Sequence, residues 1–397
     1  MKKATLLIAS AALLLTACGE QKQCNKCSEA ENNPFLKQEI VSVPRGEQAP
    51  RATPGQNNFG GMILPPAGNN QNRPRPAQTQ QPPRRPMQQG PRDMDITEIS
   101  MSDPFIYADA ETQTYYLTGT GGALYKSKDL KTWNGPYNII DLSGTWMQGN
   151  FVAAGEIHKF GDKFYYAGTW NNHRVCIEQV PRRYNVPLNQ TQLLVSDKVD
   201  GPYLPLVKDS TFCLGPVDWD IIDGTLYEEN DTVYMVFVHE WTQLIDGTMD
   251  YFPLSEDLTH RTAEPTTMFR ASEAAWSKEM NSIGEATFGL KMPGWVTDGP
   301  QMFRTQTGVL GMLWSSWGDT RYSQGIAYST SGSIKGPWVQ EEKAFLANNS
   351  GHGMLFRKFD GTLLYIVHHD AGNGRKPQIW TVDDSGDKLV LGKKILG

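Results

Sequence analysis

The sequence predicts an all-β chain, a five-bladed β-propeller preceded by a disordered spacer rich in Pro, Gln and Asn, and three observations carry that expectation. One unit recurs five times: an apolar-alternating run, a polar turn and a second run of aromatic or aliphatic pairs. The copies read DPFIYADAETQTYYLTGT from Asp103, GEIHKFGDKFYYAGTW from Gly155, DGTLYEENDTVYMVFVH from Asp223, DGPQMFRTQTGVLGMLWSS from Asp298 and HGMLFRKFDGTLLYIVHH from His352. The landmarks Tyr116, Tyr166, Tyr234, Leu313 and Tyr365 fall 50, 68, 79 and 52 residues apart, so each unit has room for about four strands. Residues 19–93, by contrast, are polar and Pro-rich and bury too little to offset the entropy of ordering.

The chain opens with Met1-Lys2-Lys3, an apolar stretch from Ala4 to Leu15 and a small-residue exit, the pattern of a secretory signal over 1–17. Leu15-Thr16-Ala17-Cys18 resembles a bacterial lipobox, which implies cleavage before Cys18 and acyl chains on that residue. Several chains make a stable membrane anchor. Residues 18–93 are then a lipidated linker, semi-stiff where Pro82-Pro83-Arg84-Arg85-Pro86 favours extended backbone, and 94–397 the propeller. The expected location is the bacterial cell envelope, lipid-anchored and facing the periplasm or the cell surface. Cys24 and Cys27 lack the second pair a zinc site needs.

Net charge divides along the same lines. The chain carries −6 overall, the signal +2 and residues 19–93 +4, which leaves −12 on the body. An acidic, aromatic-rich body suits a neutral or cationic ligand and argues against nucleic acid.

Within each copy the period-two alternation marks an antiparallel hairpin. A third strand follows, ending in Ser127, Ser196, Ser255 or Ser329. A fourth follows the cues Gly135-Pro136-Tyr137, Gly201-Pro202-Tyr203 and Gly336-Pro337-Trp338. The last strands, around Gln378–Val382 and Lys388–Leu391, either complete the fifth blade or lie against the first.

The first strand of each propeller blade lines the axis. Asp103, Asp223, Asp298 and His352, from four blades, are therefore expected at one mouth, with the three aspartates in register. Two carboxyl groups so placed can hydrolyse a glycosidic bond, one deprotonating water and the other protonating the leaving oxygen. A third holds up the pKa of the acid by like-charge proximity. Glu240, in Val238-His239-Glu240-Trp241 at the end of the second strand of blade three, is expected beside Asp223. Glu156 lies inside its strand and reads as structural. His368-His369-Asp370 offers at most one histidine to the pocket, because adjacent strand residues point apart. Trp146, Trp170, Trp219, Trp241 and Trp317 fall near predicted rim loops, where one or two would stack on sugar, and Arg321 could grip a hydroxyl.

Taken in order, Ser102-Asp103-Pro104, Ala153-Ala154-Gly155-Glu156, Ile222-Asp223-Gly224, Thr297-Asp298-Gly299-Pro300 and Ser350-Gly351-His352-Gly353 resemble the blade openings of glycoside hydrolase family 43. The likeness covers Asp93 to the C-terminus. It implies that Asp103 is the general base, that Asp223 tunes the acid, and that His352 sits at a central ion or water site, with calcium or sodium the candidate ions. No cofactor is required by the chemistry. The family commonly opens blade four with Glu-Gly-Pro, its glutamate being the acid, whereas this chain has Asp298. Three readings follow: Asp298 is the acid in a tighter pocket, the acid has moved to Glu240, or turnover is lost.

The expected function is an exo-acting, inverting glycosidase that removes terminal pentose, α-L-arabinofuranose first, from plant-type polysaccharide or oligosaccharide, acting as a monomer. β-Xylosidase or a related activity is the alternative on the same framework. A catalytically weak glycan-binding propeller is the alternative from another class.

Overall fold

The computed structural model describes residues 90–397, apart from 180–183, 210–211, 282–284, 286–290 and 373. The signal, Cys18 and all but the last four residues of the spacer lie outside the described residues. Five antiparallel sheets follow one another along the chain. Blade one comprises β2 (Phe105–Asp109), β3 (Thr114–Thr118), β4 (Ala123–Ser127) and β5 (Thr132–Asn138), with β1 (Arg92–Asp95) added outside β5. Blade two is β6 (Val152–Phe160), β7 (Lys163–Gln179), β8 (Tyr184–Ser196) and β9 (Leu204–Pro205). Blade three is β10 (Ile221–Glu229), β11 (Thr232–His239), β12 (Thr248–Pro253) and β13 (Thr266–Arg270), with the short helix α1 (Trp241–Leu244) after β11. Blade four is β14 (Asp298–Arg304), β15 (Leu310–Gly318), β16 (Arg321–Ser329) and β17 (Trp338–Gln340). Blade five is β18 (Ser350–Arg357), β19 (Leu363–Asp370), β20 (Arg375–Asp383) and β21 (Val390–Leu396).

The expected five blades of four strands are all present. Arg92 and Asp93, assigned to the linker by composition, already pair with Gly135 and Asn134, so the ordered body starts slightly earlier than expected. The C-terminal strands complete blade five. Among the described residues no strand is shared between the last blade and the first, and the ring is closed by backbone and side-chain contacts instead. The Met101 amide donates to the Arg375 carbonyl at 3.1 Å, and Tyr115 stacks on Phe359 with ring centroids 4.3 Å apart.

Alternation weakens in the second strands because each blade is sandwiched between two others and both faces are covered. All nine residues of β15 are buried. One apolar cluster joins blades five, one and two through Phe356, Tyr116 and Tyr166. Others join two to three, three to four, and four to five, so packing continues around the ring. The serine that ends β4 makes a local corner. Its Oγ accepts from the Leu130 amide at 2.9 Å, while Asp129 accepts from the Lys131 and Thr132 amides at 2.9 and 2.8 Å. Such side-chain bonds replace the ladder where the strand stops.

In blades two to five the first strand is interrupted near its start by a bulge that leaves two residues unpaired. The first of the two is left-handed: Ala154 (φ 47°), Asp223 (54°), Gly299 (49°) and His352 (47°), matched in blade one by Asp103 (55°). A left-handed residue inside a bulge re-aims the side chain, here toward the axis. This corrects the expected register. Asp103 and Asp223 are equivalent, but Asp298 lies one residue before the equivalent position, which Gly299 holds. The copy begun at Gly155 is likewise offset by one, since Ala154 is the matching residue.

Candidate active site

The backbone amides of these five residues need acceptors, and four find them on the second strand of the preceding blade or just beyond it. Asp103 donates to His368 Nδ1 at 3.1 Å, Ala154 to Thr120 Oγ1 at 2.8 Å, Asp223 to Thr169 Oγ1 at 3.0 Å and His352 to Ser315 Oγ at 2.8 Å. In blade three the corresponding residue is Val238, paired with Ile222, and it has no acceptor to give. The Gly299 amide turns instead to Asp223 Oδ2 at 3.1 Å. One apolar residue thereby ties the Asp223 carboxylate to blade four.

The side chains converge on one imidazole. His352 Nδ1 lies 3.3 Å from Asp103 Oδ1, 3.6 Å from Asp223 Oδ2 and 3.7 Å from Asp298 Oδ1. The first and last distances put the Asp103 and Asp298 oxygens at most about 7 Å apart. Thr120 donates to Asp103 Oδ2. Asp298 Oδ2 accepts from the buried Tyr322 hydroxyl at 2.6 Å, and Tyr322 stacks on His368 with planes 10° apart.

These surroundings separate the three acids. Burial pushes Asp103 up, but the neighbouring His352, with His368, Arg375 and the Thr120 hydroxyl, outweighs it and holds the carboxyl below its ordinary value. Asp223 is raised to about 6, chiefly by burial. Asp298 is raised well above the carboxylate range by burial and then by the charge of Asp223. As a carboxylate its Oδ1 would have no donor; protonated, Asp298 donates to Asp223. The surroundings therefore favour the ionised form of Asp103 and the protonated form of Asp298. A pair of carboxyls with pKa values driven apart is suited to base and acid roles.

Glu240 is buried one step behind this group. Its Oε2 caps α1, accepting from the Thr242 amide and hydroxyl at 3.0 and 2.9 Å, and its Oε1 has no partner. Burial, then the charge of Asp220, raises it well above the carboxylate range. Glu156, read as structural, contacts His158 Nε2 at 2.9 Å. His368 faces the site and His369 faces Ser350, as strand alternation requires. His368 is buried and kept neutral, consistent with an Nδ1 that accepts.

The expected sugar platforms need correction. Trp170, Trp241 and Trp317 are inside the protein at 1%, 0% and 2% exposure, so none offers a ring face. Their strands and helix end near the rim, but the rings turn inward to fill the wedges between blades. Trp146 is half-buried, with its indole N–H on the Phe212 carbonyl at 3.0 Å. Arg321 is exposed at the turn after β15, at the level of the mouth. Sequence reasoning missed Thr120, Thr169, Ser315 and Tyr322, and of the His368-His369 pair it expected at most one histidine at the pocket. The signal for Thr120, Thr169, Ser315 and His368 is the polar ending of each copy, TGT, GTW, WSS and VHH, whereas Tyr322 lies beyond its copy.

Carboxyls with pKa values driven apart, gathered around one imidazole on the axis of a five-bladed propeller, are an arrangement suited to a glycoside hydrolase. The profile described as Glycosyl hydrolases family 43 matches residues 95–384, and the chain belongs to that family. Among solved structures it is similar to an endo-arabinase from Bacteroides thetaiotaomicron VPI-5482, at 32% identity and a TM-score of 0.62, covering 72% of this chain and 95% of that one. An α-L-arabinofuranosidase from Lactobacillus brevis (16% identity, TM-score 0.52, 74% and 93% covered) shares the fold. So does an exo-1,5-α-L-arabinanase from a bovine ruminal metagenomic library (17%, 0.51, 74% and 97%). No curated protein matches.

Gly299 is the residue on which this geometry is most easily tested. A Cβ there would come within 2.6 Å of the His352 ring, at a left-handed φ that alanine resists. Gly299→Ala is expected to cut kcat/KM for glycoside hydrolysis about 100-fold, the effect of roughly an ångström of misplacement. Its circular dichroism is expected to stay that of the parent. Wild-type kinetics in the variant would contradict the role given to His352.

Proposed function

We propose that the protein is an inverting, exo-acting glycosidase that releases terminal α-L-arabinofuranose from plant-type polysaccharide or oligosaccharide. The observation that carries the mechanism is the convergence of Asp103 and Asp298 on His352, with surroundings that hold the first below and raise the second above the ordinary carboxylate range. Asp103 takes a proton from water as its oxygen attacks the anomeric carbon. Asp298 passes its proton to the leaving oxygen as that bond breaks. Asp223, hydrogen-bonded to Asp298, keeps the acid protonated until it is needed. The two carboxyls end with exchanged protonation states, and solvent restores them. A separation of at most about 7 Å puts the pair no further apart than the short end of the roughly 6.5 to 9.5 Å of inverting enzymes, so the anomer of the product decides the stereochemistry.

Terminal attack is favoured by blade two. Strand β7 pairs with the start of β6 at Trp170 and runs on, paired with β8, to Gln179, so this ladder extends past the mouth end of β6 and could limit the site on that side. The pentose assignment is supported by the arabinan-acting proteins to which the chain is similar. Asp223, Asp298 and His352 bring three ligand atoms within 4.8 Å of one another. Calcium takes six to eight oxygens, and with an imidazole nitrogen in the set and the acid's proton on Asp298, a calcium or sodium ion here would be held through its own water beside Asp223 and His352. Such an ion would supply positive charge beside the carboxylates. Acylated Cys18 would anchor a monomeric enzyme at the cell envelope, its tether joining the rim of blade one at β1.

The test is product analysis on 4-nitrophenyl α-L-arabinofuranoside, the matching β-D-xyloside and linear α-1,5-arabinan. Arabinose as the first product, released from both arabinosides as the inverted anomer, is expected. Oligosaccharides appearing first would replace exo by endo attack, and xylose release alone would replace the sugar. Binding without turnover on all three would leave a glycan-binding propeller.

A further inference from the structure

We infer that Trp219 is a sugar-stacking platform for a second residue of the substrate, adjoining the axial pocket on the blade-three side. The inference rests on the proposed carbohydrate activity and deepens it. Trp219 is half-buried and lies flat on His239, with ring centroids 4.1 Å apart and planes 18° apart. His239 is the last residue of β11 and pairs with Ile221, the first of β10, so both rings sit at the mouth end of blade three. From Trp219 to Asp223 the chain can span at most about 14 Å. The platform stands on the strand next to the axial one, about 5 Å further out. That is the position of a neighbouring sugar rather than of the bond being cut.

The platform is fixed from three sides. Gln190, fully buried on β8, donates to the Trp219 and Pro216 carbonyls at 2.8 and 3.1 Å. Gln243 takes the Asp220 amide at 2.7 Å and faces His239 Nε2 at 2.8 Å through one oxygen, and it donates to the Asp218 carbonyl at 2.7 Å. Burial lowers the His239 pKa to about 4, so the stack is neutral above that pH. Two neutral rings backed by packed amides, with the exposed carboxylate of Asp218 alongside, present an apolar face edged by a hydroxyl acceptor. A furanose or pyranose ring offers the matching faces. The Trp219 ring packs in part against the apolar cluster between blades two and three, while the hydrogen bonds that hold its loop run through backbone groups and the two glutamines.

The experiment uses the full chain carrying Asp103→Asn, so that substrate binds without being consumed. Dissociation constants are measured by calorimetry for α-1,5-linked arabino-oligosaccharides of two to six residues, with and without Trp219→Ala. Binding of every member, from the two-residue sugar upward, is expected to weaken about tenfold or more in the alanine variant, as for an aromatic anchor. Trp219→Phe, which keeps a ring on His239, is expected to recover most of the loss and guards against a variant that fails to fold. Equal constants across the three proteins would overturn the inference while leaving the proposed activity intact. Absence of any binding in the parent would overturn the activity, and the platform with it.

Discussion

Asp103→Asn is expected to lower kcat/KM by about 10³ to 10⁴-fold, the upper range for removing a general base. Asparagine keeps the size of the side chain, tolerates the left-handed backbone and can still accept from Thr120. It cannot take a proton from water. The loss is expected on aryl pentosides and oligosaccharides alike, because water must be deprotonated whatever the leaving group. Added azide, which needs no deprotonation, is expected to recover turnover as the glycosyl azide. A loss smaller than about tenfold would remove Asp103 from the role of base.

Asp298→Asn is expected to behave differently. Its loss is about 10³-fold on oligosaccharides, whose leaving alcohol needs a proton, and much smaller on the 4-nitrophenyl glycoside, whose leaving phenol does not. The same proton sets the pH profile. Activity requires Asp298 protonated, so in the parent it falls as pH rises through the raised Asp298 pKa, and this alkaline limb is expected to vanish in the variant. The acidic limb belongs to Asp103, held below the ordinary carboxylate value, and is expected to persist. Glu240→Gln retains an oxygen for the Thr242 cap and is expected to stay within about threefold of the parent. If instead Glu240→Gln loses oligosaccharide turnover and Asp298→Asn keeps it, the acid is Glu240.

Much of this arrangement was legible in the chain because its signals are local. Alternation, the serine corner and the three Gly-Pro-aromatic cues each report on a few consecutive residues, and together they number the blades. Burial beneath the landmark tyrosines follows directly. The offset at Asp298 was not legible, because a bulge changes which residue faces the axis without changing the letters around it. Asp-Gly-Pro and Asp-Gly-Thr read alike as text, yet the left-handed residue is the glycine in one and the aspartate in the other. The tryptophans failed for a related reason. Position near a loop fixes where a Cα lies, while neighbouring blades decide whether the ring turns in, as at Trp241, or lies across the rim, as at Trp219. The helpers Thr120, Thr169, Ser315 and His368 serve residues of the following blade, a relation that exists only once the ring has closed.

The left-handed conformation recurs at Ala154, whose methyl group does no chemistry. The conformation therefore belongs to the blade and precedes any catalytic use of it. Each blade issues one side chain to a common centre, and four have been given an imidazole, two carboxylates or the bare glycine that makes room for the imidazole. The fifth is in effect a vacant socket. A new acid, base or metal ligand could be installed at position 154 without redesigning a loop, which makes this propeller a ready frame for altering what its centre can do.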